Sequence, residues 1–95
     1  MEGCFFVLGP RRVQLSAQDV TDIRGWFVAE SSLPAIRFMG ATKEVRVGQD
    51  VVISEPMRQV LLEVLGVMSA AGRVDTEGLR ALHKAAREPI TLPPT

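Results

Sequence analysis

Hydrophobic residues recur at spacings of three and four between residues 56 and 72, which predicts a helix that packs on a core along one stripe. Ser54 precedes this helix as an N-cap, Glu55 and Pro56 occupy its first turn, and Gly72 ends it. The stripe itself comprises Met57, Val60, Leu61, Val64, Leu65 and Met68.

Two further apolar residues of this helix, Leu62 and Val67, lie outside the stripe and beside the small residues Gly66 and Ser69. Small residues would let a second surface approach the helix closely. The pattern leaves two explanations open. Either the next helix along the chain covers these residues, or Leu62, Gly66, Val67 and Ser69 form the contact of a homodimer.

The amino-terminal part of the chain predicts two short strands followed by one helix. Residues 4–8 are continuously apolar, and residues 11–15 alternate between apolar and polar. Ser16 is a suitable N-cap, and Asp19 at the third helical position completes a variant of the capping box, which predicts a helix over 17–31. The buried side of this helix is expected to hold Val20, Ile23, Phe27 and part of Trp26.

Two residues inside this first helix qualify the prediction. Gly25 costs roughly 1 kcal/mol relative to alanine in a helix, which indicates close packing against another element or a less regular helix. Trp26 is a residue type found in cores and at partner-binding hot spots, and its place beside the apolar positions favours the core.

The middle of the chain predicts three more strands. In LPAIRFMG, Ile36 and Phe38 fall on one face of a strand. The stretch EVRVGQDVVI alternates, turns at residues 48–50 and becomes apolar again, which is typical of a tight hairpin. After the long helix, Asp75 is expected to cap a third helix that runs to Arg87 or Glu88.

These elements, in the order β-β-α-β-β-β-α-α, predict a single α+β domain over residues 1–88. Its expected architecture is a small antiparallel sheet, made of two hairpins plus one strand, with three helices packed on one face. Residues 89–95, which are rich in proline, are expected to form a flexible tail.

Composition removes several function classes. The 95 residues include 11 basic and 11 acidic side chains, so net charge does not indicate a nucleic-acid or membrane partner. Cys4 is the only cysteine, which excludes an intrachain disulfide and favours the cytoplasm. No apolar run approaches the roughly 20 residues that span a bilayer.

The chain offers little material for catalysis. Cys4 and His83 lie near opposite ends, with no third residue to orient them, so neither a nucleophilic site nor a zinc site is predicted. The glycines occur singly and the carboxylates are scattered, so no cofactor is expected. We therefore expect a protein that is not an enzyme.

A row of basic residues is the second candidate surface: Arg80, Lys84 and Arg87 on the third predicted helix, with Arg73 extending the row across the preceding turn. Such a row could meet phosphates or an acidic partner. An ordinary solvated face is the opposing interpretation, because Glu77 could pair with Arg80 and Lys84 with Glu88. The pattern favours the solvated face.

Two stretches resemble known families. Residues 44–82, EVRVGQDVVISEPMRQVLLEVLGVMSAAGRVDTEGLRAL, resemble the opening of a winged-helix regulator, although Pro89 precedes any further recognition helix. Residues 13–74 are similar to the amino-terminal portion of actinobacterial and phage excisionase-type antitoxins. That resemblance implies a regulatory or partner-binding module of phage or mobile-element origin, without the helix-turn-helix that follows in the family.

The sequence therefore predicts a small non-catalytic, cytoplasmic regulatory protein that acts by binding a macromolecule. A protein partner is favoured, and a homodimer through the long helix is expected. The alternative is a reduced winged-helix DNA-binding regulator that uses the basic row.

Overall fold

The computed structural model describes residues 3–90, in which three strands and four helices form one α+β domain. The strands are β1 (Gly3–Leu8), β2 (Arg11–Ser16) and β3 (Asp50–Val52). The helices are α1 (Ala17–Phe27), α2 (Leu33–Ala41), α3 (Glu55–Ala70) and α4 (Glu77–Ala86). The predicted fold class is confirmed, whereas the details of the sheet and the number of helices differ.

The sheet is mixed, with strand order β2-β1-β3. β1 pairs with β2 as the predicted hairpin, and β1 pairs with β3 in parallel. Alternate residues turn one face of the sheet toward the helices, and these are buried: Cys4, Phe6, Leu8, Val13, Leu15 and Val51. On the opposite face Val52 is 71% exposed. The helices thus pack on one face, as predicted, but the expected all-antiparallel sheet is wrong.

The second predicted hairpin does not form. Only Asp50–Val52 of that stretch is a strand, while Arg46 and Gln49 close a turn through Gln49 N–H and the Arg46 carbonyl, 3.0 Å apart. β1 supplies the pairing partners instead: Phe5 N–H donates to the Gln49 carbonyl, and Ile53 N–H donates to the Val7 carbonyl. Pairing with β1 buries Val51 in the core, and this stabilises the short strand more than a local hairpin would.

The stretch LPAIRFMG, predicted as a strand, is the helix α2. Ser32 caps it by accepting a hydrogen bond from Ala35 N–H, and Pro34 sits in its first turn. The buried residues are Ala35 and Phe38, three positions apart, while Ile36 is exposed. The alternation of Ile36 and Phe38 was misleading because the true period is that of a helix.

An aromatic cluster joins the first two helices to the sheet. The rings of Phe27 and Phe38 stack with centroids 4.1 Å apart, and Phe6 meets Phe38 edge-on at 5.8 Å. α1 ends at Phe27 and not at residue 31, because the chain must turn back for α2 to make this contact. Trp26 packs against the core as predicted. A Cβ atom at Gly25 would have no neighbour within 4 Å, so this glycine does not mark close packing.

The caps of the last two helices follow the sequence closely. Ser54 accepts from Met57 N–H at the start of α3, as predicted, and Gly72 turns the chain after it with φ of 72°. Thr76, one residue after the predicted Asp75, caps α4 by accepting from Leu79 N–H. Thr76 takes this place because its hydroxyl also reaches a buried carboxylate, that of Asp19.

The beginning of the predicted tail is held against the domain. Ile90 packs on the core, and its N–H donates to Oε1 of Glu55 at 2.8 Å. Arg11 contacts Glu88 through both the carboxylate and the backbone carbonyl, at 3.1 and 2.7 Å. The domain boundary predicted at residue 88 therefore extends to Ile90, and the remainder of the predicted tail, 91–95, lies outside the described residues.

Candidate functional site

The outer surface of α3 carries three of the four residues predicted for a homodimer contact. Gly66, Val67 and Ser69 are exposed, and Val67 has 57% of its surface in solvent. A Cβ atom at Gly66 would have no neighbour within 4 Å, so nothing in residues 3–90 covers this point of the helix. The surface is open to a partner.

Leu62 and Val67 belong to opposite flanks of this surface. At 3.6 residues per turn they are about 140° apart around the helix. Leu62 lies one turn from Arg58, whose guanidinium contacts the end of α4, and it is half-buried and packs against the core. Packing within the domain therefore accounts for Leu62. It does not explain Val67.

The structure adds three exposed apolar residues that the sequence pattern did not reveal. Leu33 and Ile36, each 59% exposed, lie about one turn apart on the outer side of α2. The helix α2 itself packs against α3. Val28, at the end of α1, is more exposed still. The signal in the sequence was Ser32 with Pro34, an N-cap and first-turn proline, which would have placed these residues on a helix. We call Val28, Leu33, Ile36 and Val67 the apolar helix surface.

The basic row is exposed along its whole length: Arg73, Arg80, Lys84 and Arg87. Within residues 3–90, none of the four has a carboxylate oxygen within 4.0 Å. The pairs proposed from the sequence are not formed, and Glu88 contacts Arg11 instead of Lys84. Burial and then the charge of Arg87 lower the pKa of His83, which favours the neutral form of its imidazole.

A partly buried ion pair fixes α3 relative to the end of α4. Arg58 donates from Nε and Nη2 to the two carboxylate oxygens of Glu55, at 2.7 and 2.6 Å. Its Nη1 donates to the carbonyl oxygen of Ala86 at 2.6 Å, and this satisfies one of the orphan carbonyls at the end of α4. The side-chain bonds from Arg58 and Gln59, with the Ile90 N–H, lower the pKa of Glu55 to about 2.

Cys4 and His83, the two residues considered for catalysis, differ in burial and lie on different elements. Cys4 is buried at the start of β1, and desolvation raises the pKa of its thiol, the opposite of what activates a nucleophile. His83 is half-buried on α4. Across residues 3–90, no three His, Cys, Asp or Glu side chains converge in a way that could hold a metal ion. None of the described helices is long and apolar enough to cross a membrane.

Comparison with known proteins adds no relative. The chain matches no protein-family model, no curated protein and no solved structure at a significant level of similarity. The resemblance of residues 44–82 to a winged-helix regulator loses its hairpin, because 44–49 form a turn and not a strand. What remains of it is α3, a turn and α4 with its basic row.

Proposed function

We propose that this chain is a non-catalytic interaction module that binds a protein partner, and that the first such partner is a second copy of itself. The observation that supports the proposal is the apolar helix surface. Its four aliphatic side chains, on α2, on α3 and at the C-cap of α1, are each more than half exposed, and these three helices contact one another. A contiguous exposed apolar patch is typical of a protein-binding surface, and we infer that these side chains form one.

A second copy suits this surface for two reasons. The chain has a formal net charge of zero, so two copies do not repel one another at long range. A two-fold contact also needs only one patch, because the same surface serves both partners. Gly66 and Ser69 leave room for a second helix to approach the carboxyl-terminal half of α3, which at 16 residues is about 24 Å long.

Sedimentation equilibrium on the wild type and on Val67→Glu tests the proposal. We expect the wild type to be a dimer that is insensitive to salt. Val67→Glu should be a monomer, because burying an unpaired carboxylate in an interface has a large desolvation free energy. Val67 is exposed in the monomer, so its replacement should change the free energy of unfolding by less than about 0.5 kcal/mol.

Val52→Glu is the matched control. Val52 is equally apolar and exposed but lies on the opposite face of the sheet. This variant should remain a dimer. A monomeric wild type at high concentration, or a dimer broken by Val52→Glu and not by Val67→Glu, would contradict the assignment of the helical surface.

DNA binding through the basic row is the second candidate function. It is favoured by one observation, the lack of a carboxylate beside any of its four cations within the described residues. Neutralising Arg80, Lys84 and Arg87 to glutamine should then weaken binding to a generic duplex and flatten its dependence on salt. Equal binding by the wild type and the triple variant would exclude this surface.

A regulatory role in the cytoplasm, of phage or mobile-element type, belongs to the same proposal. It is supported by the similarity of residues 13–74 to excisionase-type antitoxins and by the single cysteine, which is buried as a free thiol. A reducing compartment suits such a thiol.

A further inference from the structure

A cavity of about 240 Å³ lies between the start of β1, the first turns of α1 and the segment that leads from α2 to β3. Three cationic side chains line it: Arg24 from α1, and Lys43 and Arg46 from the connecting segment. No carboxylate belongs to the described part of its lining. The lining of the cavity within residues 3–90 therefore carries three cationic side chains, one half-buried and two exposed, and no anionic one.

Arg24 is fixed before any ligand arrives. Its Nη1 donates to the Met39 carbonyl oxygen at 2.6 Å and to Oγ1 of Thr42 at 2.7 Å. The buried Thr42 hydroxyl in turn donates to the Phe38 carbonyl. Within residues 3–90, Nε and Nη2 of Arg24 have no acceptor. The guanidinium is thus held by one nitrogen, and its remaining donors suit a second, oxyanion partner.

The connecting segment is held to β1, which fixes the other wall. Gly48 N–H donates to the Gly3 carbonyl at 2.7 Å, and Arg46 N–H donates to Oε1 of Gln49 at 3.0 Å. Gly48 has φ of 76°, a conformation that glycine adopts without strain. These bonds hold residues 46–49 beside β1, and Lys43 and Arg46 line the cavity there. Cys4 also lines it, and its thiol, kept neutral by burial, does not oppose an anion.

The remaining wall is apolar and sets the kind of ligand. Ala17, Val20 and Val45 line the cavity, which is larger than the roughly 150 Å³ that accommodates benzene in a protein interior. The hydroxyl of Thr21 donates to the Ala17 carbonyl and so is not free to donate to a ligand. Recognition would rest on the three cations and on apolar contact.

We propose that this cavity binds a small organic oxyanion, a phosphate ester or a carboxylate attached to a short apolar body about the size of a benzene ring. The proposal is independent of the apolar helix surface and of the basic row, because no residue of either lines the cavity.

The test is a titration of the full chain with phenyl phosphate, benzoate and neutral benzyl alcohol at low ionic strength, followed by backbone amide NMR. We expect the two anions to shift the amide signals of residues 42–47 and of Gly3 and Cys4, and benzyl alcohol to bind at least about tenfold more weakly. The stronger of the two anions identifies which oxyanion the site prefers.

The double variant Lys43→Gln/Arg46→Gln should weaken anion binding by about tenfold or more, since it removes two exposed charges without touching the core. Arg37→Gln is the matched control, because Arg37 is exposed on α2 and does not line the cavity. It should bind as the wild type does. Absence of any anion-induced shift, equal binding of benzyl alcohol, or equal weakening by Arg37→Gln would overturn the proposal.

Discussion

The hydroxyl of Thr76 donates a hydrogen bond to Oδ1 of Asp19 at 2.8 Å and links two helices through residues that are 57 positions apart in the chain. The same carboxylate accepts from Ser16 N–H through Oδ2, and the Ser16 hydroxyl accepts from Asp19 N–H. Thr76 also caps α4. One buried aspartate therefore completes the amino-terminal caps of both α1 and α4.

Asp19→Ala should lower the free energy of unfolding by about 2 kcal/mol, because the Ser16 N–H and the Thr76 hydroxyl would both lose their acceptor. Urea denaturation measures the change. Asp22→Ala is the control, since Asp22 on the same helix accepts, within residues 3–90, one side-chain hydrogen bond, from the exposed Gln18. Its effect should stay within about 0.5 kcal/mol. Similar losses for the two variants would argue against the Asp19 link.

Two glycines in helices should respond to alanine in opposite directions. At Gly78 a Cβ would lie 2.5 Å from Oδ2 of Asp19 and 3.2 Å from the Gln14 carbonyl oxygen. Gly78→Ala should therefore destabilise the fold by about 1–3 kcal/mol. Gly25→Ala, with no atom within 4 Å, should stabilise it by about 0.5–1 kcal/mol. Thermal and urea denaturation measure the free energies of unfolding of the two variants. A stabilising Gly78→Ala would show that α4 lies farther from β2 than these distances indicate.

Arg58→Met should lower the free energy of unfolding by about 2 kcal/mol, because the Ala86 carbonyl oxygen loses its donor while the methionine retains much of the buried volume. Arg37→Met provides the comparison, as Arg37 is exposed. We expect a change within about 0.5 kcal/mol for it. If both substitutions are equally mild, the Arg58 bond to α4 contributes little.

The pH dependence of stability should contain a contribution from Glu55. Its pKa in the folded chain, about 2, lies below the ordinary value of 4.5, so the folded state holds the ionised form more strongly than the unfolded state does. This contribution is fully present above pH 4.5 and is lost as the pH falls through about 2. Urea denaturation across that window should show stability falling with pH.

Glu55→Gln should be less stable than the wild type above pH 4.5, and the difference should shrink as the pH falls. Arg58→Met, which removes the main donor to Glu55, should likewise reduce the slope. A difference between Glu55→Gln and the wild type that does not change over this range would mean that the carboxylate is not stabilised by its partners.

Elements with strong local signals were predictable from the sequence, and the capping residues show why. Ser16 with Asp19 and Ser54 with Glu55 and Pro56 specify helix starts through bonds and dipoles within one turn. The stretch at 33–41 has a comparable signal in Ser32 and Pro34. The strand predicted there is wrong because the alternation of Ile36 and Phe38 spans too few residues to distinguish a period of two from one of 3.6.

The candidate surfaces, too, were predictable from the sequence only in part. Exposure of Arg80 and Lys84 could be predicted, since they lie opposite the buried Leu79 and Leu82 on one helix. Their lack of a carboxylate partner within residues 3–90 could not be predicted, because Glu88, the expected partner of Lys84, contacts Arg11 across 77 residues of sequence. Likewise, only the tertiary structure shows that Leu62 is half-buried while Val67 remains exposed.

By itself, the sequence determined the α+β class, the first hairpin and the starts of α1 and α3, because each depends on side-chain periodicity or on bonds between near neighbours. Tertiary structure decided the parallel place of β3, the joining of two helix caps through Asp19 and the gathering of Arg24, Lys43 and Arg46 around one cavity. Those features arise from contacts between residues distant in sequence, and local patterns carry no information about which distant partners will meet.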